Sequence, residues 1–223
     1  MSSWIPSCRG RFTPADFSFL IEALAAENQR HHLSALWEDP QALREILDLK
    51  EVLRALLESP ASLAVSPAFY FYVLVRHTFL DAGIADTGIS DYVAAVLVQR
   101  LVTNPADPLR SLPAGLTHVA DFIAILETSR GMLRFHLQVE AGNQFLVLTG
   151  LFPGFLTRRC EKSGAPGVDF YENFARRAFR DAADNRDAPS DTPRGLLGDL
   201  SEAMPVARRS LNRLADELFF LGA

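Results

Sequence analysis

The strongest constraint on this chain is a recurring start signal, in which a residue able to cap a helix stands immediately before a proline. Thr13-Pro14, Asp39-Pro40 and Ser66-Pro67 all have this form. A proline fits the first helical position, where no backbone N–H is needed, and the preceding side chain accepts from an orphaned N–H of the first turn. Behind each start the apolar residues follow helical spacing. Phe17, Leu20, Ile21 and Leu24 mark the first stripe, and residues 28–37 continue or restart that helix. Leu43, Ile46, Leu47, Leu53, Leu56 and Leu57 mark the second, predicting one helix from Pro40 to Pro60. Arg44/Asp48 and Arg54/Glu58 would be pairs one turn apart on its surface.

The third start opens a helix over Ala68–Asp81, closed by Gly83. Its run Phe69–Val75 has strand-like composition, yet start and stop enclose about four turns, longer than a typical strand. A helix apolar on all sides belongs at the centre of a fold. Ser90 would cap the next helix, Asp91–Thr103, and the prolines at 105, 108 and 113 mark residues 104–115 as a loop. Further helices are predicted over Thr117–Ser129 and Met132–Leu151, the latter irregular at Gly142 and Gly150. Phe152-Pro153 breaks the chain there, with Phe152 expected as the core plug of a helix–helix corner. A short helix then runs from Gly154 to Lys162, ended by Gly164, and Asp169 caps Phe170–Asn185. Residues 186–193 read as a mobile loop, and Arg194–Leu221 as two helices separated near Met204-Pro205. With residues 1–12 extended, the expected fold is all-α, a single-domain irregular bundle of about eight to nine helices spanning residues 1–223.

Composition narrows the function classes. Sixteen phenylalanines among 223 residues supply ample core material, and a formal charge of −5 argues against a nucleic-acid partner, which would need a basic surplus. Neither a signal-peptide stretch nor an uninterrupted apolar run of membrane-spanning length is present, so the chain reads as soluble and cytoplasmic, with no membrane partner. Cys8 and Cys160 then read as reduced thiols.

Several polar sets have a metal-like or ligand-like pattern. His136 and Glu140 are four apart, and His118 and Asp121 three apart, so facing helices could offer four ligands. A carboxylate-bridged di-iron site would instead show two Glu-x-x-His pairs, and the chain has none, so surface polar pairs are the plainer reading and no metal or other cofactor is assigned. His31-His32 suggests a haem ligand, but neighbours on a helix point about 100° apart, and two solvated histidines suffice. Arg76-His77 would complement the negative end of its helix. Asp181, Asp184 and Asp187 form a solvated acidic face. Arg158-Arg159 and Arg176-Arg177-Arg180 could meet as a patch for an anion or an acidic partner. No nucleophile elbow, Cys-x-x-Cys, phosphate loop or dinucleotide fingerprint accompanies them.

The stretch Asn143-Gln144-Phe145-Leu146-Val147-Leu148-Thr149-Gly150-Leu151-Phe152-Pro153, followed by Arg158, Phe170-Tyr171 and Ala178-Phe179, resembles a family of bacterial proteins of unknown function. The resemblance centres on residues 143–179 and implies no activity. The broken apolar helix flanked by Arg158 and Tyr171 is the natural place to look for a ligand or partner, with Asn143, His136 and Glu140 as further candidates. The sequence therefore favours a non-catalytic helical interaction or regulatory protein, binding another protein or itself, for example as a homodimer. A helical enzyme or small-ligand binder with a core pocket, of haem-oxygenase-like architecture, is the alternative.

Overall fold

The computed structural model describes residues 6–24, 39–101 and 119–219. The expected helix at 28–37, His31-His32, the loop at 104–115 and His118 lie outside the described residues, as do the side chains of Leu101, Val119, Asp121, Leu218 and Phe219. Every regular element described is helical. Ten α-helices run over Pro14–Leu24 (α1), Pro40–Leu47 (α2), Lys50–Glu58 (α3), Pro67–Asp81 (α4), Thr87–Leu101 (α5), Val119–Thr128 (α6), Gly131–Leu151 (α7), Pro153–Ser163 (α8), Val168–Ala183 (α9) and Arg194–Phe219 (α10). Short 3-10 turns occupy Arg9–Arg11 and Pro60–Ala64, so the segment expected to be extended before Thr13 holds a helical turn. The all-α class holds, with slightly more helices than expected. Within it the chain gathers into two compact units, residues 6–98 and residues 99 onward.

In the first unit two of the three expected caps, Asp39 and Ser66, act as their spacing predicts, whereas the Thr13 hydroxyl donates to the Asp16 carboxylate at 3.0 Å instead of accepting from the first turn. The Asp39 carboxylate accepts from Gln41 N at 2.8 Å, and the Ser66 hydroxyl from Phe69 N at 3.1 Å. α4 is buried on nearly all sides, and its Phe69 and Tyr72 rings meet Phe12 edge-on at 5.2 and 5.7 Å. Gly83 takes a left-handed φ of +84° just beyond α4, the conformation a glycine accepts most readily.

Three expectations fail here for one reason, the competition of tertiary partners with local ones. The single helix over 40–60 is two helices, broken at Asp48-Leu49. Arg76 takes the Asp48 carboxylate with two bonds of 2.7 Å, so Asp48 is no surface partner of Arg44. His77 donates from Nε2 to the Leu47 carbonyl at 3.0 Å, satisfying an acceptor that the end of α2 leaves over. Arg76 and His77 are thus buried ties between helices rather than surface cations at a helix end. Further on, Asp86 rather than Ser90 caps α5, accepting from Ile89 N at 2.9 Å, and the Ser90 hydroxyl donates back to the Asp86 carbonyl.

In the second unit α7 is the spine, with α9 and α10 packed along it. Gly142 and Gly150 do not disturb α7; they let its neighbours approach. A Cβ at Gly142 would lie 2.5 Å from the Phe179 ring of α9, and one at Gly150 would lie 2.9 Å from Leu211 of α10. Gly167, not Asp169, occupies the capping position of α9.

Residues 194–219 form one helix through Pro205, against the expected pair. A proline inside a helix costs about 3 kcal/mol. Leu197, Leu200, Met204, Ala207, Leu211 and Leu214 form a continuous buried stripe across that point. Each fully buried leucine contributes about 1.5–3 kcal/mol, so the stripe outweighs the missing bond.

Candidate functional site

The corner between α7 and α8 follows from one covalent fact. Pro153 has no N–H, so the Thr149 carbonyl one turn back has no helical donor. The Asn212 amide from α10 supplies one, donating to the Thr149 and Gly150 carbonyls at 2.8 and 2.6 Å. Asn212 is held in turn by Arg208, whose Nη1 donates to its Oδ1 at 3.0 Å and whose Nε pairs with Glu172 of α9. A chain of polar contacts thereby ties α9 and α10 to the end of α7.

With its carbonyls satisfied, the end of α7 turns outward. Phe152 is 46 % exposed, so it does not plug the core as expected. α8 buries only Leu156, leaving Phe155 42 % exposed, and Phe170 in the first turn of α9 is 45 % exposed. Arg158 is exposed, and its guanidinium Nη1 lies 3.7 Å from where a Cβ on Gly154 would be, along its own helix. The Arg159 guanidinium lies 5.6 Å from the centre of the Phe155 ring, within cation–π range.

Tyr171 is elsewhere. It is buried, with its ring stacked on Phe145 at 5.3 Å and 28°. Arg158 and Tyr171, placed together by the sequence reading, therefore occupy different environments, one on the surface of α8 and one in the core under α9. His136, Glu140 and Asn143 share one face of α7, because spacings of four and seven residues return to the same side. Glu140 is paired with Arg100 from the last turn of α5, Asn143 is buried, and the half-buried His136 ring meets Phe135 edge-on.

No known family model, curated protein or solved structure matches the chain.

Among the described residues no three of His, Cys, Asp or Glu come close enough to hold a metal ion. Of the proposed four-ligand set, only His136 and Glu140 have described side chains, and Glu140 already faces a guanidinium. Nor is any described helix long and apolar enough to cross a membrane. Asp181, Asp184 and Asp187 are exposed at the end of α9 and in the following turn.

The first unit holds polar groups that sequence patterning did not single out. Asp16 is fully buried and accepts from Thr13 N, Thr13 Oγ1, Ser66 N and Ser66 Oγ at 2.6–3.0 Å. Asp91 accepts from Ser7 Oγ, Cys8 N and Arg9 N at 2.8–2.9 Å, clasping the first 3-10 turn. Burial pushes the Cys8 thiol up to about 12, with the Asp91 charge adding to it. The Tyr72 hydroxyl is buried without a hydrogen-bond partner among the described residues, and burial likewise pushes it up to about 12. The only local signal for these groups was a carboxylate near a cap; their burial depends on contacts across 50 residues or more.

Proposed function

We propose that this chain is a non-catalytic helical interaction protein that self-associates through the α7–α8–α9 corner. The observation that carries the reading is the exposure of Phe152, Phe155 and Phe170, each above two-fifths, at helix ends, with Arg158 and Arg159 further along α8. Aromatic rings and arginines are the residues most enriched where protein interfaces concentrate their binding energy. Apolar surface left in water forgoes roughly 25 cal/mol per Å², which a partner would recover. A two-fold dimer uses the same patch from both copies, so one such corner suffices.

Sedimentation equilibrium of the full chain tests this directly. The wild type should show a concentration-dependent dimer. Phe155→Ser with Phe170→Ser should be monomeric, with an unchanged far-ultraviolet circular dichroism spectrum. A wild type that stays monomeric to millimolar concentration would overturn the reading, as would a double variant that dimerises equally well.

A further inference from the structure

On the second unit, α9 and α10 enclose an open pocket of about 250 Å³ lined by Asn173, Arg176, Arg177, Arg180 and Ser201. Arg176 and Arg180 are one turn apart on α9 and about half exposed. Both reach the same carboxylate, Glu202, with Arg176 Nη2 at 3.8 Å and Arg180 Nη2 in direct contact. Arg177 sits at the rim, 83 % exposed and only 3.8 Å from Asp181 on its own helix.

Ser201 differs from its surroundings. It is 1 % exposed, yet it lines the pocket. Helical hydroxyls elsewhere in the chain donate back to the carbonyl one turn earlier, as Thr78, Thr149, Thr157 and Ser210 do. The Ser201 hydroxyl makes no hydrogen bond among the described residues, which leaves its donor to whatever enters the pocket.

We infer that this pocket binds a phosphomonoester, with Glu202 as a displaceable internal anion. A carboxylate has two oxygens and here spans two guanidiniums. A phosphoryl group has three terminal oxygens, enough to accept from Arg176, Arg180 and the Ser201 hydroxyl at once, with the Asn173 amide beside them. Three arginines against Glu202 and Asp181 leave the pocket cationic, and displacing Glu202 increases that surplus. Guanidinium groups suit phosphate because their fork meets two oxygens together. Inorganic phosphate would fill only part of 250 Å³, leaving room for the organic portion of an ester.

The test is thermal unfolding and calorimetric titration of the full chain with inorganic phosphate and, separately, phenyl phosphate, against sodium chloride at matched ionic strength. Saturable binding of phenyl phosphate, tighter than that of inorganic phosphate, is expected. Arg176→Ala with Arg180→Ala should abolish it, and Ser201→Ala should weaken it several-fold. Glu202→Gln removes the competing charge from an exposed position and should tighten binding about fivefold. Equal responses to phosphate and chloride would overturn the proposal. So would an unchanged or weakened affinity in Glu202→Gln, an arm that remains decisive if the double arginine variant does not fold.

Discussion

Asn212 donates its side-chain amide to the Thr149 carbonyl at 2.8 Å, replacing the bond that Pro153 cannot make. The break in α7 is therefore a tertiary joint rather than a loose end, and its geometry depends on a residue 63 positions away. Asn212→Leu removes the donor while keeping similar bulk. Leaving the two carbonyls short of a partner should cost about 1–3 kcal/mol in urea unfolding. A loss below about 0.5 kcal/mol would show that the end of α7 finds another donor.

Phe145 within α7 and Phe152 just beyond its end sit in opposite environments. Phe145 is fully buried, stacked on Tyr171 and edge-on to Phe122 and Phe174. Phe145→Ala should cost about 3–5 kcal/mol. Phe152→Ala, at a position 46 % exposed, should cost less than about 1 kcal/mol. Equal losses in chemical denaturation would place Phe152 back in the core.

Gly142 offers a separate check of the α7–α9 packing. Its absent side chain makes room for the Phe179 ring, so Gly142→Ala should destabilise by about 1–3 kcal/mol through overpacking, despite the better helix propensity of alanine. Adding Phe179→Leu should recover part of that loss. A stabilised Gly142→Ala protein would refute the close approach.

His77 makes stability depend on pH. Burial pulls its pKa below the ordinary 6.5, so the folded protein holds the neutral ring, which donates to the Leu47 carbonyl. The unfolded chain then binds more protons in this range, so unfolding free energy should fall as pH drops below 6.5 and through the folded value. Urea titrations between about pH 7 and pH 5 should show that decline, and His77→Gln should flatten it. An identical slope in the variant would assign the dependence to other groups.

The two thiols should separate by reactivity. Cys8 is buried and held protonated by its surroundings, whereas Cys160 is exposed on α8. A disulfide reagent at neutral pH should label one thiol in the native protein and both after unfolding. Cys160→Ser should abolish the native reaction. Fast native labelling that survives this substitution would mean that the clasp on Asp91 opens readily.

What the sequence determined by itself was the helical character and most of the punctuation. Thr13-Pro14, Asp39-Pro40, Ser66-Pro67 and Phe152-Pro153 act through the residue itself and its neighbours within one turn, so their effect is already present in the local chain. The apolar wrap of Phe69–Val75 likewise placed α4 in the interior. Tertiary structure decided where local preference was weak or outweighed. It broke the second helix at Asp48, where His77 takes the Leu47 carbonyl that would continue it and Arg76 holds the Asp48 side chain. It carried α10 through Pro205, because a buried stripe of leucines outweighs one lost bond. It also separated Arg158 from Tyr171 and gathered Arg176, Arg180 and Ser201 into one pocket. Such sites are assembled by helices distant in sequence, and their energies depend on burial and partners that no local window contains.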